Sequence, residues 1–219
     1  MPALSADPLI LDLGCGPGAT AILLARETGG HVVGLDLHRP SLDAVRQRAG
    51  EANLQSRVAA VHGSMDSAPF APGAFDLVWS EGALYSVGLA RGLEICREAL
   101  KPHGHLAFTE AVWLETEPPE EARRWWEGEY PGIGTIDANL ELIESAGFST
   151  LEHFTLPESA WWAYYDPIEA RLDDLRQRHN GEPVALDVLA EAQAEVDMYR
   201  RFGQSYGYEF FVCRRRFSS

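Results

Sequence analysis

Three glycines alternate with other residues near the start of the chain, in Leu11-Asp12-Leu13-Gly14-Cys15-Gly16-Pro17-Gly18. Such a run lets the backbone approach a ligand where side chains would collide, and it offers N–H groups to polar or negative ligand atoms. Asp12 stands two residues before the first glycine. Asp36 and Leu37 lie at the end of a second apolar run, His31 to Asp36. A carboxylate has two acceptor oxygens and suits a ribose diol. These residues could together hold a nucleotide-type ligand at a strand-to-helix turn. A tight turn with no ligand fits less well, because the loop follows an apolar strand and opens a helix.

The elements that must position these residues can be read from periodicity. Leu9 to Leu13 is a short buried strand, and Ala19 to Thr28 a helix that Gly29-Gly30 ends. His31 to Asp36 is a second strand, followed by a helix from Pro40 to Ala52, with proline in its first turn. Val58 to His62 and Phe75 to Ser80 are strands; Leu89 to Leu100 is a helix, Lys101 to Gly104 a turn, and His105 to Glu110 a fifth strand. Strands interleaved with helices in this way predict βαβ units, a parallel sheet and an α/β, Rossmann-like fold. Ligands of such sheets sit beyond the carboxyl ends of the strands, here Asp12, Asp36, His62, Ser80 and Glu110. The second half predicts helices over Glu115 to Trp126 and Ile136 to Ala146, and a strand over Phe148 to Leu156. After an aromatic segment, helices follow over Pro167 to Arg178 and Val184 to Arg201, and an alternating strand over Tyr206 to Cys213. With no repeat or flexible linker, residues 1–219 are expected to form a single domain.

Composition narrows the partners. The chain has 219 residues, 46% of them hydrophobic and 23% charged, with six Trp, which suits a folded domain. A formal charge of −15 disfavours nucleic acid, since the basic cluster Arg214-Arg215-Arg216 reads as a solvated strand end. Cys15, Cys96 and Cys213 are odd in number and far apart, with neither zinc spacing nor a disulfide framework, and no metal is expected. No apolar run is long enough to cross a bilayer, and the N-terminus lacks the regions of a signal peptide, so a cytoplasmic location away from membranes is expected.

The spacing Gly14-x-Gly16-x-Gly18, with Asp12 before it, resembles the first motif of class I methyltransferases that use S-adenosylmethionine (SAM). Read as Gly14-x-Gly16-x-x-Ala19, with Asp36 roughly 20 residues on, the loop also satisfies the dinucleotide fingerprint, so alone it leaves SAM and NAD open. Gly63-Ser64-Met65-Asp66-Ser67-Ala68-Pro69-Phe70 resembles the adenine-side motif of the methyltransferases. Phe75-Asp76-Leu77-Val78-Trp79 resembles their fourth strand, Leu100-Lys101-Pro102-His103-Gly104 their turn into the fifth, and the Tyr-rich terminal strand their extra antiparallel strand. The resemblance implies a mostly parallel seven-stranded sheet with an antiparallel terminal strand, helices on both faces, and substrate-cover helices within residues 113–205. It implies a cofactor site of Asp12, Gly14, Cys15, Gly16, Gly18, Asp36, Leu37, Ser64, Met65 and Asp66. The family often has Asp where Ser64 stands, so Ser64 or Asp66 would hold the adenine amino group while Met65 packs on the ring. Relatives also usually carry helices upstream of the first strand. Their absence here implies a more open site, cover borrowed from a partner as in a homodimer, or a misplaced start.

Trp79-Ser80-Glu81-Gly82-Ala83-Leu84-Tyr85 leaves the fourth strand beside the expected methyl position and resembles a subgroup of bacterial small-molecule methyltransferases with this Trp-Ser-Glu-Gly signature. Glu81 is the first candidate for an acceptor contact or base and Tyr85 the second; either could instead cap or support the next helix. Trp161, Trp162, Tyr164 and Tyr165 fall where this fold often covers its substrate. They could form a cage for a methylated cation, but ordinary packing is the better reading for most of them. His62 and His153 read as structural. The expected activity is methyl transfer from SAM to a small-molecule acceptor. An NAD-dependent oxidoreductase and a SAM-binding protein without catalysis are the alternatives.

Overall fold

The computed structural model describes residues 4–217. Strands and helices alternate through β1 (Leu9–Leu13), α1 (Ala19–Thr28), β2 (His31–Asp36), α2 (Arg39–Glu51), β3 (Val58–His62), β4 (Phe75–Ser80), α3 (Leu89–Ala99) and β5 (Leu100–Trp113). There follow α4 (Glu120–Glu129), the two-residue β6 (Gly134–Thr135), α5 (Ile136–Ser145), β7 (Phe148–Thr155), α6 (Glu158–Arg178), α7 (Pro183–Phe202) and β8 (Tyr206–Arg215). The strand order is β3-β2-β1-β4-β5-β8-β7, with β6 added beside β5, which makes eight strands rather than the expected seven. The extra strand is the short pairing of Val112 with Gly134 and Trp113 with Thr135.

β1 pairs in parallel with β2 on one side and β4 on the other, so Asp12 lies in register with Gly34 and Trp79. Sheet order reverses at this point, which opens the crevice where such sheets take ligands. β8 runs against its neighbours. Phe108 stacks on Phe211 while the Leu114 amide bonds to the Ser205 carbonyl, so partner numbers fall along β8 as they rise along β5.

The chain forms two compact units, one of residues 1–111, 136–154 and 209–219, the other of residues 112–135 and 155–208. The first has an aliphatic and phenyl core, including Leu11, Leu13, Val78, Leu93, Phe108 and Phe211. The second has an aromatic core centred on Trp161, Tyr165, Tyr199 and Tyr206. Among the described residues no helix is long and apolar enough to cross a membrane.

Three sequence readings are corrected. Lys101 to Gly104 is not a separate turn: β5 begins at Leu100, and the irregularity is taken up by a shifted register opposite Phe75–Leu77 and by His103 at φ 62°. The helix expected from Glu115 starts only at Glu120, because Pro118 and Pro119 hold the preceding backbone extended and Pro119 stands at its N-terminus. Pro167 does not begin a helix but lies inside α6, which runs on through the aromatic segment. Proline withdraws one helical hydrogen bond, and burial of Trp161, Tyr165 and Leu172 along the same helix outweighs that loss.

At the amino ends of the central strands, opposite the crevice, Asp76 Oδ2 accepts from the Leu9 amide (2.9 Å) and the Lys101 ammonium (2.7 Å), tying β1, β4 and β5 together. Burial alone would raise the Asp76 carboxyl, but Lys101, the Leu9 amide and the Ser5 hydroxyl outweigh it and hold the group below its usual range. Such a group stabilises the fold above the ordinary carboxylate pKa, and the stabilisation is lost as pH falls through its lowered value. Asp76→Asn is expected to lower the unfolding free energy by about 1–2 kcal/mol at neutral pH. Urea denaturation should show that deficit closing on acidification; a deficit that persists at low pH would mean the carboxylate charge is not its source.

Candidate cofactor and acceptor site

The glycine loop is strapped to β2 before any ligand is considered. The Gly14 and Cys15 amides both donate to the Leu35 carbonyl, at 2.9 and 3.1 Å. The Gly16 amide donates to Asp36 Oδ2 (2.8 Å) and the His38 amide to Asp36 Oδ1 (2.7 Å). Asp36 therefore holds the loop and keeps a further lone pair on each oxygen. Leu37 follows with its side chain 65% exposed.

Two of the glycines have different reasons to be glycine. Gly14 sits at φ +77°, and a Cβ there would lie 2.3 Å from Ala83 Cβ, so the loop after β4 packs directly on the glycine loop. Gly16 sits at φ +48° with nothing within 4 Å of where its Cβ would be. Open space beside an exposed backbone is what a ligand needs. Gly18 precedes α1 and packs against Val45.

Asp12, at the carboxyl end of β1, is 2% exposed, and its Oδ2 has no hydrogen-bond partner. Burial, then the charges of Glu81 and Asp36, push its carboxyl up to about 7. Among the described residues no ion pair involves Asp12, Asp36 or Glu81. The three acids thus converge on one place without a cation. Beside them Cys15 is buried, and burial followed by the charges of Asp12 and Asp36 raises its thiol to about 12. It is a neutral thiol at physiological pH and not a nucleophile.

The loop after β4 is fixed from three sides. Ser80 Oγ donates to the Leu13 carbonyl (2.8 Å), the Gly82 amide to Thr109 Oγ1 (2.9 Å), and the Trp79 indole to Glu81 Oε1 (2.8 Å). Tyr85 is half-exposed on the single turn Leu84–Ser86, and Ser86 Oγ reaches Met65 Sδ at 3.8 Å. Met65 also comes within 4.0 Å of the position of a Gly14 Cβ, so the Gly63–Phe70 segment meets the glycine loop there. Ser64 Oγ accepts from the Asp66 amide (3.3 Å), capping the turn Met65–Ser67, and Asp66 pairs with Arg91 (3.2 Å). Both of the polar side chains expected near the adenine amino group are therefore already engaged with neighbours.

The contacts that hold this loop leave little trace in the sequence. Trp79 and Ser80 were visible within the Trp-Ser-Glu-Gly run, but their bonds to Glu81 and Leu13 were not. Thr109 carried no signal beyond its place near a strand end. His153 has a partner, since its Nδ1 lies 2.6 Å from Glu209 Oε1 across β7 and β8. The four aromatic residues of the second unit do not form an open cage. Trp161 is sandwiched between Tyr199 (4.6 Å) and Tyr208 (4.9 Å), Tyr165 is buried, Trp162 lies under Arg200 (5.3 Å), and Tyr164 is exposed. Among the described residues no group of His, Cys, Asp and Glu could hold a metal ion.

The chain is similar to known methyltransferases. Residues 10–104 match the family described as a methyltransferase domain. Over 110 residues the chain is 35% identical to the glycine/sarcosine/dimethylglycine N-methyltransferase of Actinopolyspora halophila, covering 50% of this chain and 20% of that one. It spans less than half the length of several other curated relatives. A SAM-dependent methyltransferase of Geobacter sulfurreducens, solved with S-adenosylhomocysteine, has the same fold, with a TM-score of 0.83 at 21% identity over 96% of this chain and 85% of that one. The match to the uncharacterized methyltransferase YodH of Bacillus subtilis, 30% identical over 96% of this chain and 86% of the other, runs nearly end to end. On that footing the chain belongs to the class I SAM-dependent methyltransferase family.

Proposed function

We propose that this chain binds SAM at the carboxyl ends of β1, β2 and β4 and transfers its methyl group to a small-molecule acceptor. The observation that carries the reading is Asp12, a buried carboxyl with a partnerless oxygen, next to a glycine loop whose Gly16 leaves open space. An ammonium group supplies the cation that Asp12 lacks, and the methionine end of SAM has one. Asp36 takes the ribose hydroxyls on its remaining lone pairs, and Leu37 and Met65 flank the adenine. Cys15, Gly14 and Gly18 contribute backbone and shape, with Ser64 or Asp66 at the adenine amino group.

Bound SAM supplies a methyl group already activated on a sulfonium. The protein's part is to align an acceptor lone pair and exclude water, and such positioning accounts for roughly 7–11 kcal/mol of a barrier. Glu81 contacts the acceptor and takes its proton where one must leave; Tyr85 is the second candidate. The relative named for glycine and sarcosine N-methylation supports a small acceptor, as does the −15 charge, which opposes nucleic acid. The reading extends to the small-molecule subgroup with the Trp-Ser-Glu-Gly signature, to one domain with cover helices in residues 113–205, to a cytoplasmic location and to a homodimer.

Calorimetric titration with SAM, S-adenosylhomocysteine and NAD is expected to show binding of the first two; binding of NAD without SAM would overturn the proposal. With an acceptor found by screening amines, alcohols and activated carbons, Glu81→Gln is expected to lower kcat at saturating SAM by about 100-fold or more if Glu81 is the base. Normal turnover would make it structural. Asp36→Ala should weaken SAM binding by about 1–3 kcal/mol through lost ribose contacts and a loosened Gly16 amide. Unchanged affinity would place the ribose elsewhere.

Asp12 gives a pH signature. Its raised pKa of about 7 means the empty protein holds a proton there that cation binding must displace. Affinity for SAM is therefore expected to rise as pH increases toward about 7 and to level off above it. The empty fold behaves oppositely, losing stability over the rise from the ordinary carboxylate pKa to about 7, as the unfolded chain ionises first. Asp12→Asn should flatten both dependences, weakening SAM binding while stabilising the empty protein at pH 8, as read by calorimetry and thermal melts.

A further inference from the structure

The side chain of Glu81 is exposed, yet its carboxylate is held. An exposed glutamate ordinarily keeps its rotamer freedom, worth on the order of 1–2 kcal/mol. Here the Trp79 indole donates to Oε1 at 2.8 Å, while the Gly82 amide and Ser80 hydroxyl fix the backbone on either side. The indole is itself anchored: it packs on Phe210 (5.3 Å), and Phe210 stacks on Phe154 (5.3 Å, 15° between planes). An indole differs from arginine or lysine in one decisive way, because it orients a carboxylate without neutralising it.

The direction in which that charge acts is also on view. Trp79 is in register with Asp12 across β4 and β1, and Ala83 packs on Gly14, so the 81–83 loop lies against the glycine loop. The charges that reach Asp12 are Glu81 from this loop and Asp36 from β2, and Cys15 beside it is neutral. Asp12 in turn is buried with Oδ2 partnerless. SAM and S-adenosylhomocysteine share every group except the methyl and the sulfonium charge it creates. The ammonium that meets Asp12 is common to both, so the fixed Glu81 carboxylate, oriented by a neutral donor, distinguishes them by the sulfonium charge.

We propose that Trp79 is a positioning residue, aiming the Glu81 carboxylate at the cofactor so that Glu81 favours the cationic methyl donor over its uncharged-sulfur product. The proposal rests on the cofactor reading above and is independent of which acceptor is methylated. It assigns Glu81 a part in donor–product exchange beside its contact with the acceptor.

The test compares wild type, Glu81→Gln, Glu81→Asp and Trp79→Phe by calorimetry with SAM and with S-adenosylhomocysteine from pH 6 to 8.5. The ratio of the two dissociation constants, product over donor, is expected to fall about three- to tenfold in Glu81→Gln, and the fall should shrink at high salt. Trp79→Phe keeps a ring on Phe210 but no donor, and Glu81→Asp keeps the charge but withdraws it from the indole. Both should lower the ratio in the same direction by a smaller factor. Removing the Glu81 charge should also move the pH midpoint for cofactor binding downward, because Asp12 then ionises more readily. Equal weakening of both ligands in Trp79→Phe, or an unchanged ratio in Glu81→Gln, would overturn the proposal. If Trp79→Phe does not fold, Glu81→Asp decides the positioning role in the same way. A wild-type protein that binds neither ligand would overturn the cofactor reading and this proposal together; binding of both with unaltered ratios would overturn this proposal alone.

Discussion

A carboxyl group buried at the end of a central strand, without a cation, is the constraint around which the first unit is arranged. Asp12 sits where β1 meets β2 and β4, and the sheet order reverses beside it. Burial makes the charged form costly, and two neighbouring acids make it costlier. A fold that keeps such a group gives up stability in the empty state, a pattern typical of sites built for a ligand rather than for packing. The remaining site elements hold their own backbone in place without relieving Asp12. Asp36 is engaged by the Gly16 and His38 amides, and the 80–83 loop by Leu13, Thr109 and Trp79.

The distribution of ion pairs makes the same point. Elsewhere acids meet bases: Asp76 with Lys101, Asp66 with Arg91, Glu121 with Arg201, and Glu169 with Arg200. Most of these pairs are solvent-exposed, and each adds little to stability. Their significance is that basic side chains are absorbed locally, leaving Asp12, Asp36 and Glu81 to act on whatever enters the crevice. The chain as a whole carries a net charge of −15, which favours cationic over anionic ligands at long range.

The strands and helices of the first unit were legible because their hydrophobic runs are short, bounded by glycine or proline, and consistent with one sheet. β1, β2, β3 and β4 have the bounds read from the residues. The errors have local causes. Pro167 reads as a helix start on propensity, yet the aromatic side chains of α6 hold the helix through it. Lys101 to Gly104 reads as a turn, yet the chain stays paired beside β4 with only a register shift. At the site, residue types such as glycine and aspartate were readable, since backbone approach and carboxylate chemistry depend on type and spacing. The long-range contacts were not. The bonds of Thr109 to Gly82 and of His153 to Glu209 join positions 27 and 56 residues apart, and no local pattern encodes them.

The aromatic residues show how the same residue type does different work in the two units. Trp161, stacked between two tyrosine rings, is a core residue whose faces are both occupied, so its chemistry is that of packing. Trp79 packs on the Phe210 ring, and its indole N–H goes to a charged group rather than to a backbone carbonyl. A phenylalanine at that position would fill the same space, and a lysine would hold the same carboxylate while cancelling its charge. Tryptophan meets both requirements at once, a ring for Phe210 and a neutral donor for Glu81. The glutamate beside the glycine loop is therefore held in position by a neutral donor.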